Sequence, residues 1–348
     1  MMESQQAHRK DEHLSLALAT YQQAHGQDYF DQVRLIHDAL PETSLAEVDP
    51  QVQLGQALTL DWPFYLEAMT GGSKRAATIN ASLARQAAKH HLAMATGSLS
   101  IALREPATRD SFTVVREVNP DGKVFANLSA GADLEAAQAA VDLLQADALE
   151  LHLNAAQELI MPEGDRAFHW LNNIQHLVQG LSVPVIVKEV GFGMSKRTIS
   201  RLIKAGVTNI NVSGRGGTNF AIIENRRNHQ LDLADLEDWG QTTPEALLEA
   251  RAVQPAVNLI ASGGIVSPLG LVKAGALGAQ AVGVAGYFLQ ILVRQGEDAL
   301  DGELSRWQEE LKRLLTLLGC QRFADLPRQV DFVLTGDLYT YAQQRHLL

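Results

Sequence analysis

The chain has 348 residues, 46% of them apolar and 20% charged, the proportions of a soluble globular protein with length enough for a large core. Lys plus Arg number 29 against 40 for Asp plus Glu, a net charge of −11 with no basic stripe, which argues against a nucleic-acid binder. The single cysteine, Cys320, excludes a disulfide framework, and neither a secretory signal nor an apolar run of membrane-spanning length is present, so the expected compartment is the cytoplasm.

Residues 1–13 are polar and carry neither a strand nor a core-helix pattern, although Arg9, Lys10 and His13 cluster there with Asp11 and Glu12. Helical character runs from 14 to 25, and 41–56, with Pro41 and Pro50, reads as a turn-rich link. From Trp62 the order becomes regular. PFYLEAM is a strand ending in Thr70-Gly71-Gly72, followed by the Ala-rich helix 73–90. LAMAT is the second strand, closed by Gly97-Ser98, and KVFANL the third, followed by helix 132–145. ALELHL is the fourth and PVIVKEV the fifth, with a helix over about 196–205. VTNINVS is the sixth and runs into a long loop from Gly214 to Gly240. VNLIASGG and AQAVGVAG are the seventh and eighth. Short apolar strands alternating with helices, eight times over, predict a closed parallel (β/α)₈ barrel of TIM type. An open doubly wound sheet lacks its glycine fingerprint here. Residues 295–348 read as a charged, Leu-rich helical pair and a final segment, a cap on the barrel or an oligomer contact, with Cys320 as an inert thiol.

In such a barrel the site lies at the C-terminal strand ends. The stretch 148–166 is the richest of these. Leu149, Leu151 and Leu153 alternate with Glu150, His152 and Asn154, so the polar residues share one face. That strand runs on to Gln157 and Glu158 without a predicted turn, then into the polar loop 162–166. Glu158 is a candidate ligand for a hard cation such as Mg²⁺. Lys188, ending an otherwise apolar strand, suits an electron-rich partner. Glycine and hydroxyl residues close the last three strands at 213–218, 263–264 and 285–286. Glycines let backbone N–H groups approach phosphate oxygens, and a following helix adds its dipole.

Taken together, Arg9 to His13, Ala68-Met69-Thr70-Gly71-Gly72, Gly97-Ser98, Asn127, His152 to Glu158, 161–166, 187–189, 213–220, Trp239-Gly240 and 262–265 resemble the type 2 isopentenyl-diphosphate isomerases, in the expected order from residue 8 to near the C-terminus. The resemblance implies an FMN-dependent barrel over 61–348 with C-terminal helices, and an N-terminal extension, 1–60, contributing a substrate lid. It implies interconversion of isopentenyl and dimethylallyl diphosphate on reduced flavin, with Mg²⁺ and with NADPH or NADH as reductant. Flavin contacts would come from Ala68, Met69, Thr70, Ser98, Asn127, Lys188, Ser213, Thr218, Gly263, Gly264, Ala285 and Gly286. Substrate would meet Arg9, Lys10, His13, His152, Asn154 and Gln157. Gln157 and His152 would be catalytic and Glu158 would hold the metal. A homo-oligomer, tetramer or octamer, is also implied. Leu99 departs from the pattern, standing where a Gln usually follows Gly97-Ser98, which withdraws one expected polar contact near the flavin. FMN-dependent 2-hydroxyacid oxidases share the barrel, but they resemble a His-Gly-Gly-Arg signature after the sixth strand; here Arg215 precedes Gly216-Gly217. A non-catalytic phosphate-binding barrel is the other alternative.

Overall fold

Eight short parallel strands pair in chain order and close on themselves: β1 (Phe64–Leu66), β2 (Met94–Ala95), β3 (Val124–Ser129), β4 (Ala148–Leu153), β5 (Val185–Glu189), β6 (Asn209–Asn211), β7 (Asn258–Ser262) and β8 (Ala281–Val284). This computed structural model describes residues 5–24, 28–228, 231–253 and 257–348, with the backbone alone for 5–9 and 22–24. The barrel expectation is met. Ser73 and Asp133 cap the helices after β1 and β3 by accepting from Ala76 N (3.1 Å) and Ala136 N (2.8 Å), caps worth about 1 kcal/mol each.

Barrel interiors are ordinarily filled by branched apolar side chains. Here the layer beneath the strand ends is polar, with Glu67, Asn127, Glu150, Lys188, Asn211 and Ser262 all buried. Glu150 and His152 face inward while Leu149 and Leu151, fully buried, back onto the surrounding helices.

Four expectations about elements change. The first helix spans Gln5–Ala24, not 14–25, and takes in the polar residues 5–13. Asp11 accepts from Ser73 Oγ, and Leu14 and Leu18 are buried, the carbonyl of Leu18 accepting from Gln290 Nε2 (3.0 Å). β4 does not run on to Gln157; it ends at Leu153, and a short helix, Ala155–Ile160, carries Gln157 and Glu158. The loop 214–240 contains the helix Phe220–Arg227, capped by Asn219. The C-terminal pair is one long helix, Glu297–Leu317, followed by short pieces and the helix Gly336–Gln344.

Trp307 on that long helix is fully buried against Phe288 (5.0 Å between ring centroids) and Phe64 (5.5 Å). Cys320 is buried, and burial pushes its thiol up to about 11, as an inert thiol requires. The turn-rich link folds into a hairpin, Val52–Leu54 with Leu58–Leu60. Its Gly55, at φ +70, lies beside Asn258 where β7 begins, so the hairpin closes the end of the barrel opposite the site. Val33–Leu35 pairs antiparallel with Phe332–Leu334, clasping the two ends of the chain together. No helix among the described residues is long and apolar enough to cross a membrane.

Candidate active site

A cavity of about 570 Å³ opens at the C-terminal ends of the strands, roofed on one side by Lys10, His13, Leu14 and Ala17 of the first helix. Of the expected flavin, substrate and metal contacts, all but Arg9 line it. Arg9 lies on the helix Gln5–Ala24, but its side chain is outside the described residues. Ala68, Met69 and Thr70 enter from the end of β1, Ser98 from β2 and Asn127 from β3. His152, Asn154, Gln157 and Glu158 follow from β4 and the turn of helix after it, and Lys188 from β5. Leu99 is fully buried and does not line the cavity; Ser100 does, bonded to Ser98 through their hydroxyls (2.8 Å).

Ser213, Thr218, Gly263, Gly264, Ala285 and Gly286 form the opposite wall. Gly263 and Gly264 have φ of +92 and +75, and a Cβ on Gly263 would stand 2.0 Å from the Gly214 carbonyl oxygen. Only glycine fits that approach. The helix Gly286–Gln295 starts at this wall with Ala285 as its N-cap, which offers no side-chain oxygen to its first N–H groups. Unsatisfied N–H groups at a helix start, beside glycines, fit a terminal phosphate.

Lys10 reaches across to donate to the Ser98 carbonyl (2.8 Å). His152 Nδ1 lies 2.9 Å from Asn127 Oδ1, and Asn127 Nδ2 donates to Glu150 Oε2 (3.1 Å). Because the amide turns its amino group to the carboxylate, its carbonyl faces His152, so Nδ1 is the protonated nitrogen of the neutral ring. Burial, together with Lys188 and Lys10, lowers His152 to about 3, so the imidazole is neutral at neutral pH.

Glu158 Oε1 accepts from Asn154 Nδ2 (2.8 Å) and Oε2 from the Asp165 backbone (2.8 Å). Asn154 Oδ1 finds no partner among the described residues. A cavity-facing carboxylate beside an orphaned carboxamide oxygen suits a hard cation that takes one protein carboxylate and fills its shell with water and phosphate. Among the described residues no cluster of three His, Cys, Asp or Glu forms a self-sufficient metal site.

Glu224 escaped the sequence reading. It has no exposure, and its Oε1 accepts from Gln157 Nε2 (3.0 Å) and stands 2.9 Å from His13 Nε2, off the line of a hydrogen bond. Arg227 engages its other oxygen and also reaches Glu12 (2.8 Å) and Glu163 (3.0 Å). Burial opposes ionisation of Glu224, but His13, Gln157 and Arg227 outweigh it and hold the carboxyl below its usual range. The signal available was a carboxylate directly ending the apolar run Ala221-Ile222-Ile223, within a segment expected to be loop. Arg215 turns away from the cavity, bonding Asp238 and lying 5.8 Å from the Tyr29 ring.

A profile of the FMN-dependent dehydrogenase family matches residues 102–331. A protein of Limosilactobacillus reuteri subsp. reuteri named isopentenyl-diphosphate delta-isomerase is 63% identical over 348 residues, the whole of both chains. One of the same name from Latilactobacillus sakei subsp. sakei is 47% identical over 345 residues, covering 99% of this chain and 98% of that one. Among solved structures, mandelate oxidase with benzoyl-formic acid superposes with a TM-score of 0.65 at 19% identity, covering 93% of this chain and 94% of the other. That likeness concerns the fold.

Proposed function

The chain belongs to the isopentenyl-diphosphate delta-isomerases built on the FMN-dependent dehydrogenase barrel, and from that premise we propose that its cavity interconverts isopentenyl and dimethylallyl diphosphate on reduced FMN, with Mg²⁺ at Glu158. The observation that carries this reading is that one cavity combines a glycine-lined helix start at Ala285–Gly286 with a second polar wall at His152, Asn154, Gln157 and Glu158. One wall suits the phosphate of FMN, the other a diphosphate substrate.

Protonating an unactivated alkene carbon and removing an allylic proton is beyond ordinary side chains; reduced flavin, when bound, supplies that acid–base chemistry. The chain's own residues bind, orient and shield. Lys188 sets a positive charge at the cavity floor, where it balances an electron-rich ring. Arg9, Lys10 and His13 close over the diphosphate as a lid, with Lys10 exchanging the Ser98 carbonyl for a phosphate oxygen. Charge-assisted bonds to phosphate are stronger than those to a neutral carbonyl. His152 presents its second ring nitrogen to the diphosphate and takes a proton when the anion arrives, since a nearby negative charge favours the imidazolium. Gln157, pinned by Glu224, orients the carbon skeleton, and its fixed amide has no useful pKa of its own. Homo-oligomeric assembly and NADPH or NADH as electron source come with the family reading.

The test is anaerobic incubation of FMN-loaded, reduced protein with isopentenyl diphosphate and Mg²⁺. Dimethylallyl diphosphate should form, and chelation should stop it. Bound flavin with no isomerisation, and turnover of glycolate or mandelate instead, would favour the oxidase reading that the fold also allows.

A further inference from the structure

At the cavity floor, which Glu67 lines, three buried oxygen-bearing groups meet without enough protons from the phenol alone. Tyr65 Oη lies 3.0 Å from Glu67 Oε2 and 3.2 Å from Glu150 Oε1. All three residues are buried, Glu150 and Tyr65 completely. A phenol carries one proton and can donate to only one of two carboxylates. The second contact is repulsive unless a carboxyl brings a proton of its own. Two buried carboxylates that meet on one phenol oxygen hold one proton between them, as like charges in low dielectric do not both ionise. Burial, followed by the charge of Glu67, drives Glu150 well above the ordinary carboxylate range, and Lys188 only partly opposes it.

The rest of the barrel is built to keep the pair in place. Asn211 Nδ2 donates to Glu67 Oε2 (2.7 Å), Asn127 Nδ2 to Glu150 Oε2 (3.1 Å), and the Ala68 N–H to Glu67 Oε1 (2.8 Å). On β8, a Cβ at Gly283 would fall 2.3 Å from Glu67 Oε2, so glycine there makes the room. The titratable groups facing the pair are Tyr65 on β1, Lys188 on β5 and, beyond Asn127, His152 on β4. With one proton on the pair, its charge of −1 balances Lys188, and the floor is neutral.

We propose that Glu67 and Glu150, bridged by Tyr65, are a buried proton reservoir that takes up one proton from solvent when flavin bound in the cavity is reduced. The inference rests on the FMN reading above. Reduction by a hydride donor or a chemical reductant gives flavin two electrons and one proton, leaving an anion. That anion draws on the Lys188 charge which had balanced the pair. The pair then passes from one proton to two, and the whole event becomes two electrons and two protons. Neither the family profile nor the related proteins' names speak to this pair.

The slope of the flavin midpoint potential against pH counts protons per electron pair. For a two-electron couple each proton is a tenfold change in equilibrium constant per pH unit, about 30 mV. Holoprotein reconstituted with FMN should show a two-proton slope on the alkaline side of neutrality, with the absorbance of the reduced state identifying an anionic flavin. The double variant Glu67→Gln/Glu150→Gln, which leaves the pair no carboxyl, should halve the slope, whereas Glu150→Gln alone mimics the proton already held and should leave it unchanged. Equal slopes in wild type and the double variant overturn the proposal, as does a neutral reduced flavin in wild type. If the double variant loses flavin, a one-proton wild-type slope overturns it alone. Failure of the wild-type protein to bind FMN would instead sink the functional reading beneath it.

Discussion

Gln157 is held from behind by Glu224, so its amide has a fixed heading in the cavity. Shortening it by one methylene breaks that grip and moves the amide by more than an ångström. Orientation errors of about 1 Å cost on the order of a hundredfold in rate. Gln157→Asn is therefore expected to lose kcat on that scale, with flavin and Mg²⁺ affinity nearly unchanged in titrations. Glu158→Gln should do the reverse, raising KM and the Mg²⁺ requirement while flavin stays bound; an unchanged Mg²⁺ dependence would remove Glu158 as the ligand. Glu150 gives a pH-linked expectation in flavin-free protein. Burial and the neighbouring Glu67 charge raise its carboxyl well above the ordinary carboxylate range in the folded state, so folded protein binds more protons than unfolded. The associated stability is complete below the unfolded pKa and is lost as pH rises toward the folded one. Glu150→Gln should flatten that decline in urea melts taken from acid to neutral pH; parallel declines would mean that the proton is not held there. At this scale the sequence reads well where a polar residue ends an apolar strand, as with Lys188 and His152. It reads poorly where partners meet from distant strands, and no spacing links Tyr65 to Glu150 or Gln157 to Glu224.

The eight strands were legible because each is short and fenced by turn residues, and most are apolar. Even β6, only Asn209–Asn211, stands out against its flanking glycines. The first helix was only half legible. Residues 5–13 show no apolar stripe because that half lies against the polar mouth of the barrel, where Lys10 and Asp11 find their partners. The helix Phe220–Arg227 was hidden by the glycines on either side of it. Charge-assisted bonds contribute about 1.5–3 kcal/mol, so deleting residues 1–13 should raise KM for isopentenyl diphosphate roughly tenfold or more and leave the flavin spectrum intact. An unaltered KM would reduce that half of the helix to a covering. Trp307 anchors the long C-terminal helix over β1 and the helix after β8. Trp307→Ala should cost about 3–5 kcal/mol, read as a lower urea midpoint in flavin-free protein.

Across the whole molecule, a chain with net charge −11 sets cations where an anionic ligand would need them, Lys10 at the roof and Lys188 at the floor of one cavity. Both ends of the chain also come to the barrel from outside it. The first helix roofs the cavity, and the strand just after it is fastened to Phe332–Leu334 near the C-terminus. About 300 residues separate the two strands of that clasp, and all eight barrel strands lie between them. Closing it therefore carries the entropy cost of a very long loop, and it is expected among the late contacts of refolding.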